Sequence, residues 1–392
     1  RGRLRRGTAA AALAVLAAAA GLLLAEAGLA LFHPQLYQRP KVWQYDDRLG
    51  WAHIPSASGR LVSPEFDVEI TINADGLRDC KYGRRRPAGV ERILVFGDSF
   101  AEGWGVEQDQ PVSEQLEALL ARADGSPPEV LNCGVAGYGT DQELLLFGSL
   151  GRELTPDLAI VLFYGNDLWN NASPRGIGAE RGYKPFFRPG PDGSLVLRGV
   201  PVPRSPFWDQ ESANRAPAGQ RLERYLGERW HLYALARRAL APELSAGEQR
   251  AFYGGLYGLD AAGEYGQLWD LTARLLAEFQ GQVRAAGAQL LLVYAPAIVQ
   301  VDGADWRAKR QLHGLTGDYD LQKPQRLLAA IAARHRIDFL DLGPTFAQQA
   351  QPEKLYFRDS HWTPAGHGLA AAAIADHLNR RSAASSGGQA LP

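Results

Sequence analysis

A run of apolar residues that ends abruptly on glycine, Ile93-Leu-Val-Phe96-Gly97, restricts this chain more than any other stretch. Four apolar residues in succession, two of them β-branched, suit a strand buried on both faces. That condition is met inside a parallel sheet with helices above and below. Gly97 stops the run because a residue without Cβ lets the backbone leave the strand sharply. Asp98 and Ser99 follow at once, at the carboxyl end of the strand, where open α/β sheets hold their ligands. A hydroxyl there is fixed by a rigid element yet open to a crevice, as a nucleophile must be. Gly-Asp-Ser is also ordinary turn composition, so the tripeptide gains meaning only from the rest of the chain.

From residue 92 onward, strand and helix patterns alternate. Strands are expected at 93–96, 130–132, 158–163, 289–294 and 337–340, and helices at 111–122, 141–150, 268–286, 322–334 and 364–378. Pro111, Pro324 and Pro364 lie near helix starts, where proline is tolerated, and Gly287 ends the longest helix. The alternation predicts an α/β fold with a central parallel sheet and helices on both faces. It is interrupted at about 168–262 by Pro-rich and aromatic segments, with a hairpin strand near 194–198 and a helical stretch near 220–240. An insertion of this size either shapes a substrate cleft or decorates the surface.

Residues 33–91 form a lead-in rich in Pro, Gly and polar residues, with strands expected at 46–54 and 66–72 and a turn at Asn73-Ala-Asp-Gly76. Arg84, Arg85 and Arg86 read as a solvated loop. Before the lead-in, Arg1, Arg3, Arg5 and Arg6 precede an uncharged apolar stretch at 7–25, long enough to cross a bilayer. Residues 1–32 are therefore read as an anchor with its amino end in the cytoplasm and the body exported to the periplasm. A cleaved signal peptide, giving a secreted body, is the rival. The main domain is expected over 92–380, with a disordered tail at 381–392. The net charge of −1 over 392 residues argues against a nucleic-acid partner. Cys80 and Cys133 form no Cys-x-x-Cys pair and read as free thiols, a single disulfide being the alternative.

Four polar blocks follow the strands: Gly97-Asp98-Ser99; Asn132 to Thr140, containing Gly137; Tyr164-Gly-Asn166-Asp167; and Asp359-Ser-His361-Trp-Thr-Pro-Ala-Gly-His367. In a parallel sheet all four lie along one edge, and together they hold what acyl transfer needs. Ser99 would attack the acyl carbon, His361 would take its proton, and Asp359 would orient and stabilise the imidazole. The backbone N–H groups of Ser99 and Gly137 and the amide of Asn166 would receive the oxyanion. Asp98 and Asp167 would brace the turns. The chemistry calls for no cofactor. Asp359, His361 and His367 lack the further ligands a metal site requires, and His367 reads as structural. Trp104, Trp169 and Trp362 either line a sugar-binding cleft or belong to the core.

These blocks resemble, in order, those of the SGNH hydrolases, also called the GDSL lipase/esterase family, over roughly residues 90–380. The lead-in residues Leu49-Gly-Trp51, Ile72-Asn73 and Gly76-Leu-Arg78 resemble membrane-anchored bacterial members. The resemblance implies a flavodoxin-like three-layer αβα sandwich and ester hydrolysis through an acyl-serine. It departs from the family pattern at two places. Tyr164 stands where the third block usually has Gly, two residues before the Asn. One residue, not two, separates Asp359 from His361. The resulting Asp-x-His-Trp resembles the branch related to alginate O-acetyltransferases. The expectation is an exported esterase removing acetyl from a saccharide or other small ester. An O-acyltransferase acting on an envelope or extracellular polysaccharide, and a non-catalytic glycan-binding protein, are the alternatives.

Overall fold

The computed structural model describes residues 2–80, 82–120, 128–175, 182–205, 214–240, 246–259 and 264–387. Five parallel strands form the central sheet: β5 (Arg92–Gly97), β6 (Glu129–Asn132), β7 (Leu158–Phe163), β10 (Gln289–Tyr294) and β11 (Asp338–Asp341). Their spatial order is β11-β10-β7-β5-β6. Counted within the sheet this is 2-1-3-4-5, the flavodoxin-like order, whose direction reverses between β5 and β7. The blocks after those two strands therefore flank the crevice at which such sheets bind ligands.

The period-two alternation of the strands sorts their side chains onto two faces. Leu94, Phe96, Val161, Phe163, Leu292 and Tyr294 pack on one face with Leu275, Leu276 and Phe279 of the helix Glu264–Ala285. Ile93, Val95, Ile160, Leu162, Leu291 and Val293 pack on the other with Val112, Leu116, Ala370 and Ile374. Those partners come from the helices Val112–Leu119 and Pro364–Gly387. The three-layer sandwich expected from the alternation is thus present, with β7 and β10 at their expected bounds.

Several local readings change. The expected strand at 46–54 is an antiparallel hairpin of β1 (Trp43–Asp46) and β2 (Gly50–His53). Asp46 Oδ1 accepts from the backbone N–H groups of Arg48 and Leu49 and so closes the turn. The second lead-in strand also has a partner, β3 (Ser58–Val62) pairing with β4 (Asp67–Thr71). The last helix runs to Gly387, beyond residue 380 where the domain was expected to stop. Arg381 holds it there through Asp338, its Nη1 2.7 Å from Oδ2. Residues 388–392 of the expected tail, and residues 121–122 of the expected helix 111–122, lie outside the described residues.

In the insertion, β8 (Phe186–Pro189) and β9 (Leu195–Arg198) form the expected hairpin. The helical stretch near 220–240 is two helices, Ala218–Arg229 and His231–Leu240, with a third at Ala246–Tyr257. One amino-terminal helix, Gly2–Phe32, includes an apolar segment over Ala10–Phe32 long enough to cross a membrane and not buried in the protein.

Candidate active site

Ser99 opens a one-turn helix, Ser99–Glu102, directly after β5. Asp98 caps that helix, its Oδ1 accepting from the Phe100 N–H at 2.9 Å. Gly97 is required by space: a Cβ there would lie 2.7 Å from Ala101 Cβ and 3.0 Å from the Leu162 carbonyl oxygen. The second block rests on the same turn. A Cβ on Gly134 would stand 2.3 Å from the Glu102 backbone nitrogen, so only glycine lets the two segments approach.

His361 reaches Ser99 from the far end of the chain, with Nε2 2.8 Å from Ser99 Oγ. Its Nδ1 lies 3.1 Å from Asp359 Oδ2, an ion-pair distance, without the alignment of a hydrogen bond. The one-residue spacing works because Ser360 has φ +72°, folding residues 357–361 into a tight turn. In that turn the His361 N–H donates to Asp359 Oδ1 and the Phe357 N–H donates to the His361 carbonyl. A non-glycine residue in this region is strained, and such strain gathers at working sites. Burial pushes the Asp359 carboxyl up, but the charge of His361 together with the hydrogen bonds the carboxylate accepts outweighs it, and the net direction is downward. The imidazole is flanked by Phe100 and Trp104, ring centroids 5.3 and 5.7 Å away.

Asn166 sits after β7 and donates from Nδ2 to Asp98 Oδ2 at 2.8 Å. That bond fixes the orientation of the side-chain amide. Asp167 is fully buried and accepts from the Tyr164 N–H, holding the turn whose sequence departs from the family pattern. Burial, then the charges of Glu143 and Asp98, push the Asp167 carboxyl well up. Gly137, at φ +80°, lies on a turn that the lead-in holds from outside the sheet. Trp51 Nε1 donates to the Ala136 carbonyl at 3.0 Å, and Tyr138 OH donates to the Trp51 carbonyl at 2.5 Å.

The motif reading missed these lead-in contacts. His53 Nε2 pairs with Glu102 Oε1 at 2.5 Å, both side chains being buried. Arg78, also buried, donates to the Glu102 and Val106 carbonyls just after the serine turn. Within the insertion, Lys184 is fully buried against Asp141 and donates to the Asn170 carbonyl. A lone His, Arg or Lys in a polar segment gives no signal of such a role. The available hints were Leu49-Gly-Trp51 and Gly76-Leu-Arg78, the lead-in residues that resemble membrane-anchored members.

Trp104 and Trp362 are core residues, 7% and 0% exposed, and Trp169 is half-buried against Phe252 and Tyr265. His367 is buried, and desolvation, then the charges of Arg78 and His361, lowers it to about 3. Cys80 and Cys133 are free thiols. A cleft bordered by Ser360, the residue before His361, is lined also by Tyr164 and Lys309, with Phe252, Tyr253 and Tyr257 from the insertion. The third insertion helix thus forms one of its walls. No group of three metal ligands occurs among the described residues.

The site combines a hydroxyl, an imidazole within hydrogen-bonding reach, a carboxylate behind it and an amide across the crevice. Such a set can form and hydrolyse an acyl ester. No curated protein matches the sequence significantly. Among solved structures, a lipase/acylhydrolase from Enterococcus faecalis is 13% identical, covers 74% of this chain and 97% of its own, and has a TM-score of 0.37. A catalytic mutant of an acetylxylan esterase from Geobacillus stearothermophilus is 13% identical, with 72% and 92% covered and a TM-score of 0.38. Likenesses this distant carry no argument about activity. Residues 95–369, however, match the GDSL-like lipase/acylhydrolase family across most of the chain. The span takes in all four polar blocks, and the chain therefore belongs to that family and is an enzyme of the esterase/acylhydrolase type.

Proposed function

We propose that this protein is an exported, membrane-anchored serine esterase that removes small acyl groups, acetyl foremost, from a saccharide or similar ester. The observation carrying the chemistry is the 2.8 Å approach of His361 Nε2 to Ser99 Oγ. In the proposed cycle Ser99 attacks the acyl carbon as His361 takes its proton. The C–O bond then breaks as His361 returns that proton to the leaving alcohol. Water, activated by His361, releases the acid and regenerates Ser99. Asp359 orients the imidazole and stabilises its charged form. The Ser99 N–H at the start of a helical turn, the Gly137 N–H and the second N–H of Asn166 receive the oxyanion.

The aromatic lining of the adjacent cleft supports a saccharide ester, since flat rings pack against the apolar faces of sugars. The apolar amino-terminal helix supports anchoring and export. The Asp-x-His-Trp block favours a second reading, transfer of the acyl group to a carbohydrate hydroxyl in place of water. A fluorophosphonate probe should label the wild type and not Ser99→Ala. An aryl acetate supplied with a glycan acceptor then separates the readings. Faster release of free acetate supports hydrolysis, and faster formation of acetylated glycan supports transfer. A folded wild type that the probe does not label sinks both.

A further inference from the structure

We propose that the helical hairpin Ala218–Arg229 and His231–Leu240 lies in the outer interface of the bilayer that the amino-terminal helix crosses, clamped to that helix at Glu26. The inference rests on the anchored reading above and adds a second, peripheral membrane contact to it.

The two helices contain no buried side chain. They nevertheless present Leu222, Tyr225, Trp230, Leu235 and Leu240, between 39% and 84% exposed. Outside the amino-terminal helix, half of the large exposed hydrophobic residues among those described fall in this hairpin. The same segment carries five arginines against two glutamates. Apolar side chains, ring-bearing residues and arginines on short helices suit the boundary between headgroups and acyl chains.

The hairpin is attached where that boundary falls. The uncharged stretch 7–25 is 19 residues long. At ~1.5 Å per residue it spans roughly the ~30 Å thickness of a hydrocarbon core. Glu26 is the next residue, the first charge after the stretch, and lies six residues before the outer end of the apolar segment Ala10–Phe32. Its carboxylate accepts from the His231 and Leu232 N–H groups at 2.6 and 2.8 Å and so caps the second helix. A carboxylate in hydrocarbon is costly, and one capping a helix in the interface is not. The clamp continues outward. The Gln35 N–H donates to His231 Nδ1 at 2.8 Å, Arg238 donates to Gln35 Oε1 at 3.1 Å, and Gln38 Nε2 donates to the Glu228 carbonyl at 3.1 Å. Tyr37, in the same short linker, stacks on Trp104, which packs on His361. The reacting groups are therefore held close to the membrane surface.

The test uses the full chain in phosphatidylcholine/phosphatidylglycerol vesicles, with Cys80→Ser to remove the exposed thiol. Single cysteines at Leu235→Cys and, independently, Tyr225→Cys carry a polarity-sensitive fluorophore, with Leu16→Cys and Leu312→Cys as references. Labels at 235 and 225 should be quenched by a lipid bearing a shallow spin label and be several-fold less accessible to aqueous iodide than the label at 312. The label at 16 should respond to a deep spin label. Iodide access at 235 and 225 equal to that at 312, with 16 still in lipid, overturns the inference and leaves the anchor standing. Protection at 235 and 225 from both quenchers assigns the face to a protein and also overturns it. Iodide access at 16 overturns the anchored reading and this inference with it.

Discussion

Asn166 Nδ2 donates to Asp98 Oδ2 at 2.8 Å, joining the turn after β7 to the residue that caps the serine helix. A single carboxylate thus sets both the orientation of the amide and the start of the turn bearing Ser99. Asn166→Ala is expected to lower kcat by ~10²–10³, the usual loss for one oxyanion donor, with KM little changed. Asp98→Ala should lower kcat as well and cost about 1 kcal/mol of stability through the lost cap. Because one residue acts through the other, the double variant should fall short of the sum of the two single losses. Ester turnover and denaturant melts of the three variants check this.

Ser99→Ala and His361→Ala should each lower kcat by several orders of magnitude, and their combination should cost little more than either alone. The readout is steady-state turnover of an aryl ester. Additive losses would mean that the 2.8 Å pair does not act as a unit.

Trp51→Phe keeps an aromatic ring but shrinks a fully buried side chain and removes the indole N–H that satisfies the Ala136 carbonyl. Leaving that carbonyl buried without a partner should cost about 1–3 kcal/mol. The turn bearing Gly137 should loosen as well, lowering kcat more than KM changes. Urea melts and kinetics on one preparation separate the two effects.

His367 is lowered to about 3 inside the fold, so the unfolded chain binds more protons than the folded chain between roughly pH 3 and 6.5. Its contribution to stability is therefore complete above about 6.5 and is lost as the pH falls toward 3. His367→Asn should be less stable than wild type near neutrality, with the gap narrowing as pH falls from 7 to 4. Thermal melts across that range test the sign, and a gap that widens contradicts it.

Much of the fold is legible along the chain because its causes are local. Residues 158–163 and 290–294 are continuous apolar runs, and their shortness and flanking turn residues mark them as strands. The hairpin at 43–53 escapes the same reading. Its turn depends on one Asp46 carboxylate accepting two backbone N–H groups, which does not disturb the apolar pattern. The last helix continues past the expected stop at 380, and Arg381 there meets Asp338, a contact between distant segments.

By itself the sequence determined the alternation of strands and helices in the main domain and the family to which its four polar blocks belong. Periodicity and turn chemistry are properties of neighbours along the chain, and they can be read in one dimension. Only the tertiary structure decided that Ser99 and His361 stand within a hydrogen bond, that Asp98 governs Asn166, and that Trp51, His53 and Arg78 of the lead-in carry the site from behind. Each of these joins residues separated by many turns of chain. Folding must first close those loops, and no local pattern records which side chains then meet.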